Sequence, residues 1–278
     1  MAAGIEVRPY AGVGAEVLGI DLSGDLPDDL FEQVRQAFVD HGVVFFRDQQ
    51  LSREQHIGFA RRWGDIVVNR FFVPDPGFAQ IAEVRKEPQA TANIGGGWHT
   101  DHSYDAEPAM GSVLVARALP ARGGDTMFAS MYAAYDALSD GMKRTLSSLN
   151  AVHSSRHVFG RQGAYDDGSG RSLHPDLATQ DSVHPVVITH PLSHRKALYV
   201  NPGFTRHFEG WTAEESEPLL QQLYRHAARP EFTTRFQWRP GSVAFWDNRA
   251  TWHYALNDYP GQQRLMHRIT IAGGPLGR

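Results

Sequence analysis

The residue pattern predicts a mainly β protein with helical cover, built as one β-sandwich or barrel. Three observations lead there. From about residue 78 onward, short apolar or alternating runs are separated by Gly, Pro, Asp and Ser clusters, the pattern of strands and turns. Helical periodicity is confined to a few segments. The 278 residues, 41% hydrophobic and 21% charged, suffice for one sizeable core and exclude disorder, collagen and coiled coil.

The first helix is predicted over residues 27–41, where Leu30, Phe31, Val34, Ala37 and Phe38 fall on one stripe and Gly42 supplies the stop. A strand from Val43 to Phe46 follows at once. Ser52 with Gln55 forms a capping box for a second helix through Ile57, Ala60, Arg61 and Trp63, closed by Gly64. Strands are predicted at Phe78 to Arg85, Ser112 to Arg117, His184 to His190 and Lys196 to Val200. A third helical region covers roughly 130–149. A fourth opens on a Thr212, Glu215 capping box and runs through Leu219, Leu220, Leu223 and Ala227, with irregular first turns expected because Pro218 removes a backbone bond. Alternation returns in Phe232, Thr234, Phe236 and Trp238, in Ser242 to Trp246, and in Leu265 to Ala272.

One domain is expected over residues 1–278. Residues 155–183 stand apart, since Gly160, Gly163, Gly168, Ser169 and Gly170 lie among Arg156, Arg161 and Arg171 with little periodicity. So long an irregular insertion reads as an active-site lid, the alternative being a surface loop. A net charge of −4 with no Lys/Arg run argues against nucleic acid and anionic membranes as partners. The N-terminus has no basic, apolar leader and no segment reaches the length of a membrane span, so a soluble cytoplasmic protein is expected.

With zero cysteines, any metal must sit on His, Asp or Glu. His99 and Asp101 stand two positions apart after Gly95-Gly96-Gly97-Trp98, so in an extended segment both would emerge on one face. His253, shortly after the strand that ends in Trp246-Asp247-Asn248, offers a third ligand. Two His and one carboxylate on one face of an octahedral metal leave three positions open, the arrangement of non-heme Fe(II) oxygenases. His-x-Asp alone is a weak signal, because a chain with 14 histidines produces such pairs by chance. Downstream, alternation puts Arg264, Met266 and Arg268 on one face of a strand and Leu265 and His267 on the other. Two buried guanidiniums require anions, and Arg suits bidentate capture of carboxylate or sulfonate. The alternative is a solvated basic strand edge.

Trp98-His99-Thr100-Asp101, Gly123-Gly124-Asp125-Thr126, Trp246-Asp247-Asn248 with His253, and Arg264 with Arg268 together resemble the taurine dioxygenase family of Fe(II)/2-oxoglutarate oxygenases. The likeness runs from about Val7 to Gly274. It implies a double-stranded β-helix, a jelly roll with the site at its open mouth, and commonly a dimer or tetramer. It implies that His99, Asp101 and His253 ligate Fe(II), that Thr126 and Arg264 hold the distal carboxylate of 2-oxoglutarate, and that Arg268 receives the substrate's anionic group. With O2 as the other cosubstrate, 2-oxoglutarate would be converted to succinate and CO2 while a substrate C–H bond is hydroxylated.

Asn69, Arg70, Phe71, His102, Tyr104, Phe159 and Arg268 are the candidates for facing the substrate. His102 should turn away, leaving its backbone amide to face the anion, and Tyr104 and Phe159 have core packing as their alternative. Gly95 stands where taurine dioxygenase has an asparagine that contacts the substrate amine, so taurine itself is not expected. Val152-His153-Ser154, Val183 to Val187 and Leu198 to Asn201 look more like the branch that cleaves aryloxyalkanoates, and a small carboxylate or sulfonate with a bulky apolar end is the expected substrate. Two other classes remain open: a metal-binding jelly roll without turnover, and a metal-dependent hydrolase. His41, His56, His153, His184, His190, His226 and His267 are expected at helix ends, in the core or on the surface.

Overall fold

The computed structural model describes residues 4–165 and 174–278. Its backbone is a large sheet whose order is Glu6–Pro9, Ala15–Leu18, Val43–Phe46, Val243–Asp247, Gly111–Ala118, Arg264–Ile271, Phe78–Lys86 and Pro74–Asp75, with Ile66–Val67 also pairing Arg264–Ile271. Every pairing is antiparallel except that of Ala15–Leu18 with Val43–Phe46. Against this sheet lies a smaller one, Thr233–Phe236, Thr126–Ser130 and Thr251–Ala255. Phe45 stacks on Phe236 at 4.1 Å between ring centroids and meets Phe128 at 5.4 Å, while Phe128 meets Trp246 at 5.7 Å. Alternate residues of both sheets thus interdigitate in one shared core, the packing of a jelly-roll sandwich.

Helices cover the outer faces. Asp28–His41 buries Phe31, Val34, Ala37 and Phe38, and Phe38 stacks on Phe245 of the large sheet at 4.2 Å. Gly42 ends it in the left-handed conformation (φ 72°), donating to the Phe38 carbonyl at 2.8 Å. Arg53–Arg61 begins with both bonds of the Ser52/Gln55 capping box. On the far side, Met131–Asp136 and Ala213–Ala227 pack on Leu198, Trp252 and Ala129.

Three expectations change. The helical region at 130–149 is two helices, Met131–Asp136 and Asp140–Ser147, because the Ser139 hydroxyl caps a new start by accepting from Met142 N. The strand expected from His184 to His190 divides at Val186 into Asp181–Pro185 and Val187–Thr189, which belong to different small sheets. Pro218 does not disturb its helix, which is continuous over Ala213–Ala227: the Thr212/Glu215 box holds the first turn, and Leu220, Leu223 and Ala227 anchor the rest. Of the 155–183 insertion, the tract containing Gly168, Ser169, Gly170 and Arg171 lies outside the described residues. Among those described, no helix is long and apolar enough to cross a membrane.

Candidate active site

At the mouth of the sandwich, His99 and His253 pair as neighbouring strands do. His99 N donates to His253 O at 3.1 Å and His253 N to His99 O at 2.8 Å, which brings the ring centroids to 4.1 Å. The strand carrying His253 is fixed by the turn before it, where Arg249 grips Asp247 through Nε (2.8 Å) and Nη2 (2.6 Å), with His190 Nε2 2.9 Å from the same carboxylate. Glycines make room for His99. A Cβ at Gly203 would lie 2.7 Å from His99 Cβ, and one at Gly95, where φ is +75°, would lie 3.1 Å from Cε1. His99 Nδ1 sits 2.8 Å from Gly97 O, so Nδ1 carries the proton and the Nε2 lone pair is left for a ligand.

Asp101 joins the pair by a route other than the extended segment expected. Only His99 makes a β-bridge, and Asp101 begins a turn in which His102 takes φ 60°. The result still converges: His99 Nε2 is 3.8 Å from Asp101 Oδ1, and His253 Nε2 is 3.8 Å from Asp101 Oδ2. Burial pushes both imidazoles below their ordinary pKa, so they are neutral. Burial alone would raise the Asp101 carboxyl, but the adjacent Arg268 guanidinium outweighs it and holds it well below the usual carboxylate range. Arg268 Nη1 donates to Asp101 Oδ2 at 3.0 Å.

A narrow recess leads inward past His99 and His253 to Thr126 and Arg264. Arg264 is buried, and its Nε and Nη2 have no hydrogen-bond partner among the described residues. Trp238 Nε1 donates to Thr126 Oγ1 at 3.0 Å, which leaves the hydroxyl proton of Thr126 free to be donated. A buried guanidinium without an anion is unfavourable in a protein that binds nothing there. Beside it, His99, Asp101 and His253 supply one nitrogen or oxygen each, all within 4.8 Å of one another. The donors in the recess match what a carboxylate accepts, and the adjoining triad offers a donor set that could hold a divalent metal.

A model of the taurine catabolism dioxygenase TauD, TfdA family matches residues 6–270. The chain belongs to this family. It is 35% identical over 274 residues to the alpha-ketoglutarate-dependent sulfate ester dioxygenase of Pseudomonas putida, covering 97% of this chain and 90% of that protein. It is 35% identical over 288 residues to the (S)-phenoxypropionate/alpha-ketoglutarate-dioxygenase of Sphingobium herbicidovorans, covering 99% and 97%. The crystal structure of AAD-2 in complex with Mn(II) and N-oxalylglycine superposes with a TM-score of 0.82 at 29% identity, covering 99% of each chain. The protein is therefore a dioxygenase that uses Fe(II), 2-oxoglutarate and O2, and its two sheets are the family's jelly roll.

The dioxygenase's outer cavity, about 490 Å³, has His99, Asp101 and Arg268 at its base. One wall is apolar, with Phe72, Val158, Phe159, Tyr165 and Phe204; the other is the Gly95–Gly97 backbone with Asn93 and Asn257. Of the substrate-facing residues expected from sequence, Arg268 and Phe159 line it. The others stand behind the wall. Asn69 Oδ1 accepts from Phe71 N (2.8 Å) and Phe72 N (3.2 Å), fixing the turn that presents Phe72. Tyr104 is buried against Phe204 at 4.7 Å, and His102 turns to Asp105, with Nδ1 2.8 Å from Oδ2. Arg70 also holds Asp105, at 2.7 Å, and Phe71 stacks on Phe159 at 4.4 Å. Sequence reasoning missed Phe72, Val158, Tyr165, Phe204, Asn93 and Asn257. For two of them a signal was available, since Phe72 adjoins Phe71 and Val158 adjoins Phe159, both already singled out.

Proposed function

We propose that His99, Asp101 and His253 hold Fe(II), that Thr126 and Arg264 bind the distal carboxylate of 2-oxoglutarate, and that Arg268 receives the anionic group of the substrate. The observation that carries this is the buried guanidinium of Arg264, whose Nε and Nη2 have no hydrogen-bond partner among the described residues, at the end of a recess that opens onto the His-Asp-His triad. Bound there, iron with 2-oxoglutarate and O2 supplies the oxidant for C–H hydroxylation, with release of succinate and CO2. The chain's own residues position and exclude. Arg268 ties the triad to the substrate, because one of its donors fixes Asp101 while Nε has no partner among the described residues. Phe72, Val158, Phe159 and Phe204 shed water from the apolar part of the substrate and hold it over the triad.

The substrate class that fits is a small organic sulfate ester, sulfonate or carboxylate with a bulky apolar end. Relatives are named for sulfate ester and (S)-phenoxypropionate substrates, which share an anionic head and an apolar body. Hydroxylation of the carbon next to an ester or ether oxygen gives a product that collapses with cleavage of that C–O bond. Neither a hydrolase nor a non-catalytic metal binder has a use for the Thr126/Arg264 recess. We place the reaction in the cytoplasm, in one domain whose 156–165 stretch walls the cavity and belongs to the lid; light scattering tests the dimer or tetramer.

An anaerobic visible spectrum tests the assignment. Fe(II) followed by 2-oxoglutarate is expected to produce a weak metal-to-ligand charge-transfer band that needs both and that shifts with octyl sulfate or (S)-2-phenoxypropionate. Absence of the band while Fe(II) binds would overturn the cosubstrate assignment.

A further inference from the structure

The stretch from Arg156 to Tyr165 folds back on itself, with Ala164 N donating to His157 O at 2.9 Å and Tyr165 N to Val158 O at 3.0 Å. Its apolar side is anchored by Phe159, which stacks on Phe71. Two of its polar side chains reach the backbone on either side of His99. Gly95 N donates to Tyr165 Oη at 2.8 Å, and His157 Nε2 donates to Gly203 O at 2.9 Å. Gly95 and Gly203 are the two glycines against which His99 is seated: a Cβ added at Gly95 would lie 3.1 Å from its Cε1 and one at Gly203 2.7 Å from its Cβ. The space His99 occupies therefore depends on where these two backbone segments are held.

We propose that Tyr165 and His157 are positioning residues for His99, so that the loop walling the cavity also fixes a metal ligand. The inference rests on the reading of His99 as a ligand. Partners that orient a metal-binding histidine without touching the metal change affinity by about 10- to 100-fold when removed. Here the orientation is delivered through backbone: His99 Nδ1 is already held by Gly97 O at 2.8 Å, and the loop sets the walls between which that ring stands.

The test is a Mn(II) titration, followed by calorimetry, of the wild type and of Tyr165→Phe, His157→Phe, His157→Gln and His99→Ala, with thermal unfolding of each metal-free protein. Tyr165→Phe and His157→Phe are each expected to weaken Mn(II) binding about tenfold with the unfolding midpoint unchanged. His157→Gln, which keeps a side-chain donor, should recover most of the loss. If His99→Ala abolishes binding while both phenylalanine variants bind as the wild type does, the positioning role is overturned and the ligand reading stands. If affinity falls only in step with the unfolding midpoint, the loop is structural and the proposal is overturned. If His99→Ala binds Mn(II) as the wild type does, the ligand reading falls and the proposal with it.

Discussion

Two clusters of histidine and carboxylate occupy opposite faces of the strand Arg264–Ile271, and each brings its potential ligand atoms within 4.8 Å of one another. One is His99, Asp101 and His253; the other is Asp75, Glu83 and His267. Residue type and proximity do not separate them. Their counter-charges do. Around the second cluster, Arg53 grips both oxygens of Asp75, and Arg85 grips both oxygens of Glu83 at 3.0 Å each. Arg117 Nε donates to His267 Nδ1 at 3.1 Å, which turns Nε2–H toward Asp75, 3.6 Å away. Each member is already satisfied by a guanidinium, and a divalent cation would have to displace positive charge to enter. In the first cluster, the imidazole Nε2 atoms face each other across Asp101, a recess is lined by both rings, and Nε and Nη2 of the nearby Arg264 have no hydrogen-bond partner among the described residues.

Substitutions in the two clusters should therefore part company. Asp101→Ala is expected to lower Mn(II) affinity by more than about 100-fold and to abolish turnover, whereas Asp75→Asn should bind Mn(II) as the wild type does. Equal losses in the two titrations would erase the distinction. Next in size, Arg264→Leu should weaken 2-oxoglutarate binding by about 30-fold or more, the effect of truncating one partner of a buried charged pair. Its metal-free form should be no less stable than the wild type, because the substitution removes a buried guanidinium whose Nε and Nη2 have no hydrogen-bond partner among the described residues. A fall in stability without a loss of 2-oxoglutarate affinity would make Arg264 a structural residue. Asp75→Asn, silent in the metal assay, should cost about 2 kcal/mol in urea unfolding, since it strips charge-assisted bonds from a nearly fully buried group.

The same contrast shows what the sequence could carry. Gly42, the Ser52/Gln55 box and the Thr212/Glu215 box mark helix ends through local chemistry, and the structure places those ends accordingly. Ser139 carried the same kind of signal inside a run read as one helix, and the apolar periodicity on both sides hid it. Alternation predicted that Arg264, Met266 and Arg268 share a face, and Arg264 and Arg268 do line the same recess. It also turned His267 away from them, but it could not show that His267 is buried there, because Asp75, Arg53 and Arg117 arrive from other strands and a helix. Likewise the apposition of His99 and Asp101 was expected from an extended segment. It comes instead from one bridge, the two glycines beside His99 and a left-handed His102, a conformation no spacing rule contains. The cavity walls were least legible: Phe72 and Phe204 differ from core phenylalanines only in facing an empty volume that distant segments enclose.

The smallest expected effect concerns pH and belongs to the second cluster. A histidine with an ordinary pKa of 6.5 is pushed down to about 4 at His267, first by burial and then by the Arg117 guanidinium; at His56 the same two causes push it to about 3. Between pH 6.5 and 4 the unfolded chain binds protons at these positions that the folded chain refuses. Their contribution to stability is complete above pH 6.5 and is lost as the pH falls, levelling off for His267 near 4 and for His56 near 3. His267→Gln removes one of these titrations and keeps a side-chain acceptor for Arg117 and a donor toward Asp75. Its urea midpoint should therefore decline less steeply than that of the wild type between about pH 7 and 5, a window above the range in which carboxylates titrate. Its Mn(II) affinity should not move. A pH slope equal to that of the wild type would mean that His267 takes up its proton at the same pH in the folded and the unfolded chain, with Asp75 offsetting burial and Arg117, so that the imidazole becomes cationic within this window instead of staying neutral between guanidiniums.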